Sequence, residues 1–349
     1  MNTIEFGLMT FADMAPESDL SKGLNAQKRL ADLMEEITFA DRLGVDVFGV
    51  GEHHRDDYAV SSPATVLAAA AVLTKNIKLT SAVSVLSSED PVRLYQQFAT
   101  VDLLSGGRAE IMAGRGSFTE SFPLFGYPLE KYHTLFEEKL DLLLKINSEP
   151  FATWKGTTRA SLQGQGVFPR AVKGALPVWI AAGGSPDSAV RAARHRLPLM
   201  LAIIGGRADN FVPFIAHYRK HALAEGLPQD QIQVGINNHV FIGESDQQIS
   251  DAFFPYYAQM MDRVGKDRGW MPMTRQQYDY MRAPGGALIV GSVDTVVKRI
   301  VEEYRLFGFT RYLAQASLGF VPHELTMRSI ELYATEVVPR VREAIAKLG

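Results

Sequence analysis

The sequence predicts an α/β fold, a (β/α)8 TIM barrel with insertions, on three observations. Eight short runs rich in Val, Ile, Leu and aromatic residues are separated, for the most part, by stretches of helical period. Several of these runs are apolar almost throughout, as strands covered on both faces must be. No hairpin chemistry joins them, so the alternation reads as βαβ units in a parallel sheet, and eight such strands point to a closed barrel rather than an open sheet.

The runs are IEFGLMT (4–10), VDVFGVG (45–51), IKLTSAVSV (77–85), RAEIMAG (108–114), PVWIAA (177–182), LPLMLAII (197–204), IQVGINNHVFI (232–242) and TRYLAQAS (310–317). Between the first two, residues 25–43 place Leu30, Leu33, Met34, Ile37 and Ala40 on one stripe of a helix. Ser62 followed by Pro63, and Asp90 followed by Pro91, supply two helix starts, each with a capping side chain and proline in the first turn. The chain is expected to form one domain, 1–349, with insertions at about 115–176 and 243–290. The first contains a helical stretch (129–146) and then a small hairpin-like excursion. The second ends in a breaker-rich segment with Trp, Met and Tyr. Long segments of this kind in a compact domain are usually lids or binding loops.

Composition excludes several classes. Hydrophobic residues make up 46% and charged residues 21%, with a net charge of −3 and no block of like charge. Nothing here favours nucleic acid or an anionic membrane surface as a partner. The absence of cysteine rules out disulfides, thiolate zinc sites and cysteine nucleophiles. The start, MNTIEFGLMTFAD, lacks the pattern of a signal peptide, and the apolar window VLAAAAVL (66–73) is too short to span a bilayer. A soluble cytoplasmic protein is expected.

In a barrel the strand C-termini make the active face. Glu52-His53-His54 follows the second run, Gly114-Arg115-Gly116 the fourth, and Gly183-Gly184-Ser185 the fifth. Glycines there let backbone approach a ligand, and N–H groups in a helix's first turn point outward beside a positive dipole end, an arrangement that binds phosphate. Arg115 could add a bidentate cation. The plainer reading is a strand-to-helix turn with a serine cap. The two histidines leave three readings open: a metal site, a polar loop, or one histidine used in proton transfer. Strand alternation puts Glu52 and His54 on one face and His53 on the other, which weakens the metal reading. No G-x-G-x-x-G follows the first run, and no serine-hydrolase elbow or P-loop spacing occurs. A phosphate site, wide apolar loops and no metal cluster favour a phosphorylated cofactor such as flavin mononucleotide (FMN).

The order EHH, then LTSAVSVLSSEDPVRLYQQFATVDLLSGGRAEIMAGRG, then AAGGSPDSAVRAA resembles the bacterial luciferase-like flavin-dependent monooxygenases. IVGSVDTVVKRI and SIELYATEVVPRVR are similar to that family's final strand region and last helix. The resemblance spans essentially the whole chain. It implies reduced FMN bound at the strand C-termini and reacting with O2 to a C4a-hydroperoxide that oxidises a small organic substrate. It also implies a homodimer and a separate NAD(P)H:flavin reductase as partner. By position, Arg115, Gly183, Gly184 and Ser185 would hold the phosphate, while Met9, Ala82, Val83 and Ser84 would lie against the isoalloxazine ring. The resemblance further implies a non-prolyl cis peptide at Ala82–Val83 and makes His53 the proton-transfer residue near the reacting flavin. Light-emitting members carry a reactive cysteine where this chain has Gly114, so bioluminescence is not implied. The expected lid, 265–286, diverges most and leaves the substrate open. Three alternatives stand beside this one: an F420-dependent dehydrogenase on the same fold, a metal-dependent barrel hydrolase centred on Glu52 and His54, and a flavin-sequestering protein without turnover.

Overall fold

The computed structural model describes residues 4–14, 26–116, 118–266, 268–318 and 321–348. Residues 1–3, Asn25, Ser117 and Asp267, which fall within stretches read above, lie outside that description. The first three apolar runs become β1 (Glu5–Thr10), β2 (Val47–Val50), β3 (Lys78–Ser81) and the short β4 (Ser84–Val85). β5 (Ala109–Gly114) follows, then a separate antiparallel hairpin, β6 (Phe151–Trp154) and β7 (Leu162–Gly166). β8 (Val178–Ala182), β9 (Leu199–Ala202), β10 (Val234–Gly243), β11 (Leu288–Ser292) and β12 (Arg311–Ser317) come last.

Parallel pairing runs β1-β2-β3-β5-β8-β9-β10-β12 and returns to β1, closing an eight-stranded barrel from the eight expected runs. Two details differ from the sequence reading. The run 77–85 is not one strand: it breaks between β3 and β4 at Ala82–Val83, a cis peptide bond. The insertion 243–290 ends in β11, which pairs the outer half of β10 from His239 onward, beyond the last β9 pairing at Asn237.

Alternation along each strand sorts side chains cleanly. On β12, Tyr312, Ala314 and Ala316 pack outward into the core beneath the helices, while Leu313 joins Met9, Val47, Met112, Trp179 and Met200 inside the barrel. A packed lumen of bulky side chains is what a barrel of this strand number holds. Its floor is charged. Arg311, 1% exposed, donates to Glu110 (2.6 Å) and Glu5 (2.7 Å) and lies 4.2 Å over the Trp179 ring. Lys78 pairs with Glu5 and approaches Glu110.

The helices begin where the capping chemistry expects. Asp90 accepts from the backbone N–H groups of Val92 (2.9 Å) and Arg93 (3.1 Å) at the start of Pro91–Ser105. Ser62 precedes Pro63–Leu73 but bonds the Thr65 hydroxyl rather than backbone. The C-terminal face is roofed by Asp246–Lys266 and Arg275–Arg282, the latter opened by a reciprocal Thr274–Gln277 capping box. No helix among the described residues is long and apolar enough to cross a membrane.

Candidate functional site

Two adjoining cavities open at the C-terminal ends of the strands. The first, about 560 Å³, is walled by the ends of β1, β2, β3, β5, β8 and β9. Met9, His53, Ala82, Val83, Arg115, Gly183 and Ser185 all line it, so seven of the nine positions singled out from sequence converge on one space. Ser84 and Gly184 do not. Ser84 is buried on β4 against β5, its hydroxyl without a partner among the described residues. Gly184, at φ +104°, turns the chain back, and a Cβ there would meet Phe211 at 3.1 Å.

The glycine at 114 is required by close approach: a Cβ at this position would lie 2.7 Å from a Val83 methyl. β5 therefore reaches the cavity as bare backbone, and Arg115 leaves it at the cavity edge. The Arg115 guanidinium is 3.5 Å from the Ser188 hydroxyl and 3.4 Å from His133 Nδ1, and it stacks 5.0 Å over the Tyr132 ring. None of these partners neutralises it. Opposite, Gly183-Gly184-Ser185 leads into the helix Pro186–Arg194, whose Ser185 side chain makes no cap bond. A Cβ at Gly183 would touch nothing within 4 Å. This corner is a cation, two hydroxyls and the first turn of a helix around open space, the donor set of a phosphate site.

At the other end stands His53, 5% exposed. Its ring is packed against Tyr58 (4.2 Å), Phe11 (4.7 Å) and Phe118 (5.2 Å), and Nδ1 lies 3.7 Å from a Glu120 oxygen. Burial would raise the Glu120 carboxyl, but the His53 ring and the His54 backbone N–H outweigh it and hold it below the usual carboxylate range. Glu52 and His54 do share a face: His54 Nε2 and Glu52 Oε1 are 2.9 Å apart, and that bond raises the His54 pKa. The other Glu52 oxygen accepts from Val85 N–H at 2.9 Å, tying the end of β2 to the chain just past Ala82–Val83. The pair is thus structural glue between two strand ends. No group of three or more His, Asp or Glu disposed to hold a metal occurs among the described residues.

The second cavity, about 850 Å³, shares Phe11, Ile204, Gly205, Arg268 and Gln315 with the first. Its outer wall is built from residues between 260 and 281, a range that overlaps the expected lid, 265–286, and begins before it. Asp13 and His239 line it deep inside. Burial pushes the Asp13 carboxyl up to about 6 against the pull of Arg29. Burial alone pushes His239 down to about 4, leaving it neutral with Nδ1 3.2 Å from the Tyr257 hydroxyl.

Sequence reasoning missed Glu120, Ser188, His133, Gln315 and His239. Two of these had a signal. On β12, Arg311, Leu313 and Gln315 alternate inward, and on β10 Asn237 and His239 do the same, so counting by twos from either strand finds them. Glu120 and His133 reach the site from the 115–176 insertion, Glu120 from a loop and His133 from the helical stretch read at 129–146, whose pattern did not show that it would face the strand ends.

A closed parallel barrel with its cavities at the strand C-termini and a cationic, glycine-framed corner places this chain among the α/β barrels whose sites lie at the strand ends. The sequence matches the luciferase-like monooxygenase family model over residues 4–311, and the chain belongs to that family. Over 323 residues it is 25% identical to 4-hydroxyprotoasukamycin monooxygenase of Streptomyces nodosus subsp. asukaensis, covering 88% of this chain and 85% of that one. Its fold superposes on monooxygenase RslO1 from Streptomyces bottropensis with a TM-score of 0.83 at 22% identity, covering 96% and 99% of the two chains. The oxygenating constituent of 3,6-diketocamphane monooxygenase from Pseudomonas putida, a type II Baeyer-Villiger monooxygenase solved with FMN, gives 0.76 at 21% identity over 97% and 98%. An F420-dependent secondary alcohol dehydrogenase gives 0.73 at 15% identity over 97% and 99%.

Proposed function

We propose that this barrel is an FMN-dependent monooxygenase that oxidises a small organic substrate with O2. The observation that carries the reading is the cationic corner. Arg115, Ser188 and the 183–185 turn surround one end of a cavity whose far end holds Met9, Ala82, Val83 and His53. A group with one terminal phosphate and a flat apolar ring system fits that division of chemistry.

In this reading Arg115 and the backbone N–H groups at the start of Pro186–Arg194 bind the phosphate, with Ser185 and Ser188 as neutral donors. Met9, Ala82 and Val83 present an apolar wall to the ring. Bound reduced FMN supplies the electrons, so that one atom of O2 enters the substrate and the other leaves as water. His53, boxed in by three aromatic rings and oriented by Glu120, holds or passes a proton where the two cavities meet. The aromatic box keeps water from the reacting edge. The family resemblance supports a separate NAD(P)H:flavin reductase as the source of reduced FMN and a cytoplasmic homodimer as the working form.

The F420-dependent likeness makes a dehydrogenase the second reading. The arginines lining the first cavity are Arg115 and Arg268, and the latter stacks over Phe118 and Trp270. That charge suits one phosphate better than a long anionic tail. Titrating the protein with FMN and with F420, followed by oxygen uptake with a flavin reductase and NADH, tests the choice. Tight F420 binding without FMN binding would overturn it.

A further inference from the structure

The second cavity carries its own chemistry, and it is unlike that of the first. Five methionines, Met260, Met261, Met271, Met273 and Met281, line its roof side. Thioether side chains are unbranched and polarisable, and they mould to bulky ligands of irregular outline. Phe11, Tyr58, Phe118 and Trp270 add flat surfaces. Trp270 and Met271 are 51% and 83% exposed at the rim, an apolar surface that a bound molecule would cover. The volume sits in the upper part of the range for drug-sized ligands.

The polar groups inside are few. Asp13 and Gln315 each carry a buried oxygen with no hydrogen-bond partner among the described residues, Oδ2 and Oε1 respectively. A buried acceptor left unpaired is costly, so each is a place where a donor is wanted. His239 adds a hydrogen-bonding ring held neutral by burial, one nitrogen already engaged by Tyr257. The other ionised wall groups are occupied. Asp262 accepts from Met273 N–H (2.6 Å), and Arg268 is stacked on Phe118 and Trp270. Deep in the cavity, acceptors and a carboxylate await a donor; the Arg29 charge felt by Asp13 is already paired with Glu36 at 2.9 Å, and the cation lining the cavity among the described residues is Arg268, stacked on its aromatic wall.

We infer that the substrate seated in this second cavity is a bulky, largely apolar, uncharged ring compound that presents a hydroxyl or N–H donor to Asp13 and Gln315, and not a carboxylate or sulfonate. The inference rests on the monooxygenase reading for placing the reacting centre at the junction of the cavities. Gln315 lines both, so a donor held there anchors the ring system beside the first cavity. An anionic substrate would bring like charge up to Asp13 in a poorly solvated space.

The test uses three probes of one shape on the FMN-loaded protein at neutral pH, by calorimetry: 2-naphthol, 2-methoxynaphthalene and 2-naphthoate. Naphthol should bind roughly tenfold or more tightly than either the donorless ether or the anion. Asp13→Asn should narrow the gap between naphthol and naphthoate, and Gln315→Met should narrow that between naphthol and its ether. FMN titration of the same preparations keeps the two readings apart. If FMN fails to bind but the naphthol preference survives in the FMN-free protein, the cofactor reading falls alone. If FMN binds while naphthoate matches naphthol, or none of the three binds below millimolar concentration, the substrate inference is wrong.

Discussion

The sharpest consequence of the phosphate corner concerns Arg115. Its own contacts are weak: an imidazole nitrogen at 3.4 Å, a hydroxyl at 3.5 Å and one ring face. Replacing it with alanine should therefore leave the fold nearly as stable as before, within about 1 kcal/mol, as for partly exposed side chains outside a buried network. Its value lies in the ligand. Losing a charge-assisted contact to phosphate is worth about 1.5–3 kcal/mol, which is a weakening of FMN by roughly 10- to 150-fold. Riboflavin has the same ring and ribityl chain without the phosphate, so its affinity should change by less than about threefold, within the scatter of additive effects. Arg115→Lys keeps the charge but loses the fork, and should fall between wild type and alanine. Quenching of flavin fluorescence gives all six dissociation constants. Equal losses for FMN and riboflavin would refute the assignment, because they would show that Arg115 touches the ring or merely shapes the cavity.

Three further outcomes are expected. His53→Ala should leave FMN affinity unchanged and lower kcat by roughly 100-fold, and Glu120→Gln should lower it less while displacing the pH–rate profile; wild-type kinetics in both would remove the pair from the mechanism. Glu303, buried with Asn238 as its hydrogen-bond donor, has its carboxyl pushed by burial up to about 8. Its folded pKa lies above the unfolded value, so the stability it contributes is complete below about pH 4.5 and is lost as pH rises to about 8. The slope should reach up to about 1.4 kcal/mol per pH unit in that window; Glu303→Gln should flatten it in urea melts, and an unchanged slope would contradict the assignment. Arg311→Met should cost about 3–5 kcal/mol by leaving the buried Glu110, and Glu5 beside it, with Lys78 alone as counter-charge, and a melting temperature equal to wild type would show that the floor network is not what closes the barrel.

All eight barrel strands were legible because strands buried on both faces are written as unbroken apolar runs, and each run maps to one strand position. The break at Ala82–Val83 lies inside such a run, where composition carries no trace of it; only the family resemblance anticipated it. β11 was absent from the eight apolar runs for a different reason, though the family resemblance marked IVGS as a strand region. LIVGS is as apolar as any strand of the barrel, but it sits in an insertion and pairs only the outer half of β10. At the site, glycine-framed residues such as Arg115 and Gly183 announce themselves by spacing. Alternation separated His53 from the bonded pair Glu52 and His54, and the family resemblance then singled it out. Glu120 acts from a loop and Ser188 from the first turn of a helix, and their contribution depends on packing that no local pattern encodes. Gln315 was within reach of alternation along β12.

A crystal structure of the protein with FMN tests the central claim most directly. The account predicts density for the phosphate between Arg115, Ser188 and the 183–185 turn, and for the ring against Met9, Ala82 and Val83 with its edge toward His53 and the second cavity. Flavin seated elsewhere, or a first cavity that takes F420 and not FMN, would contradict it.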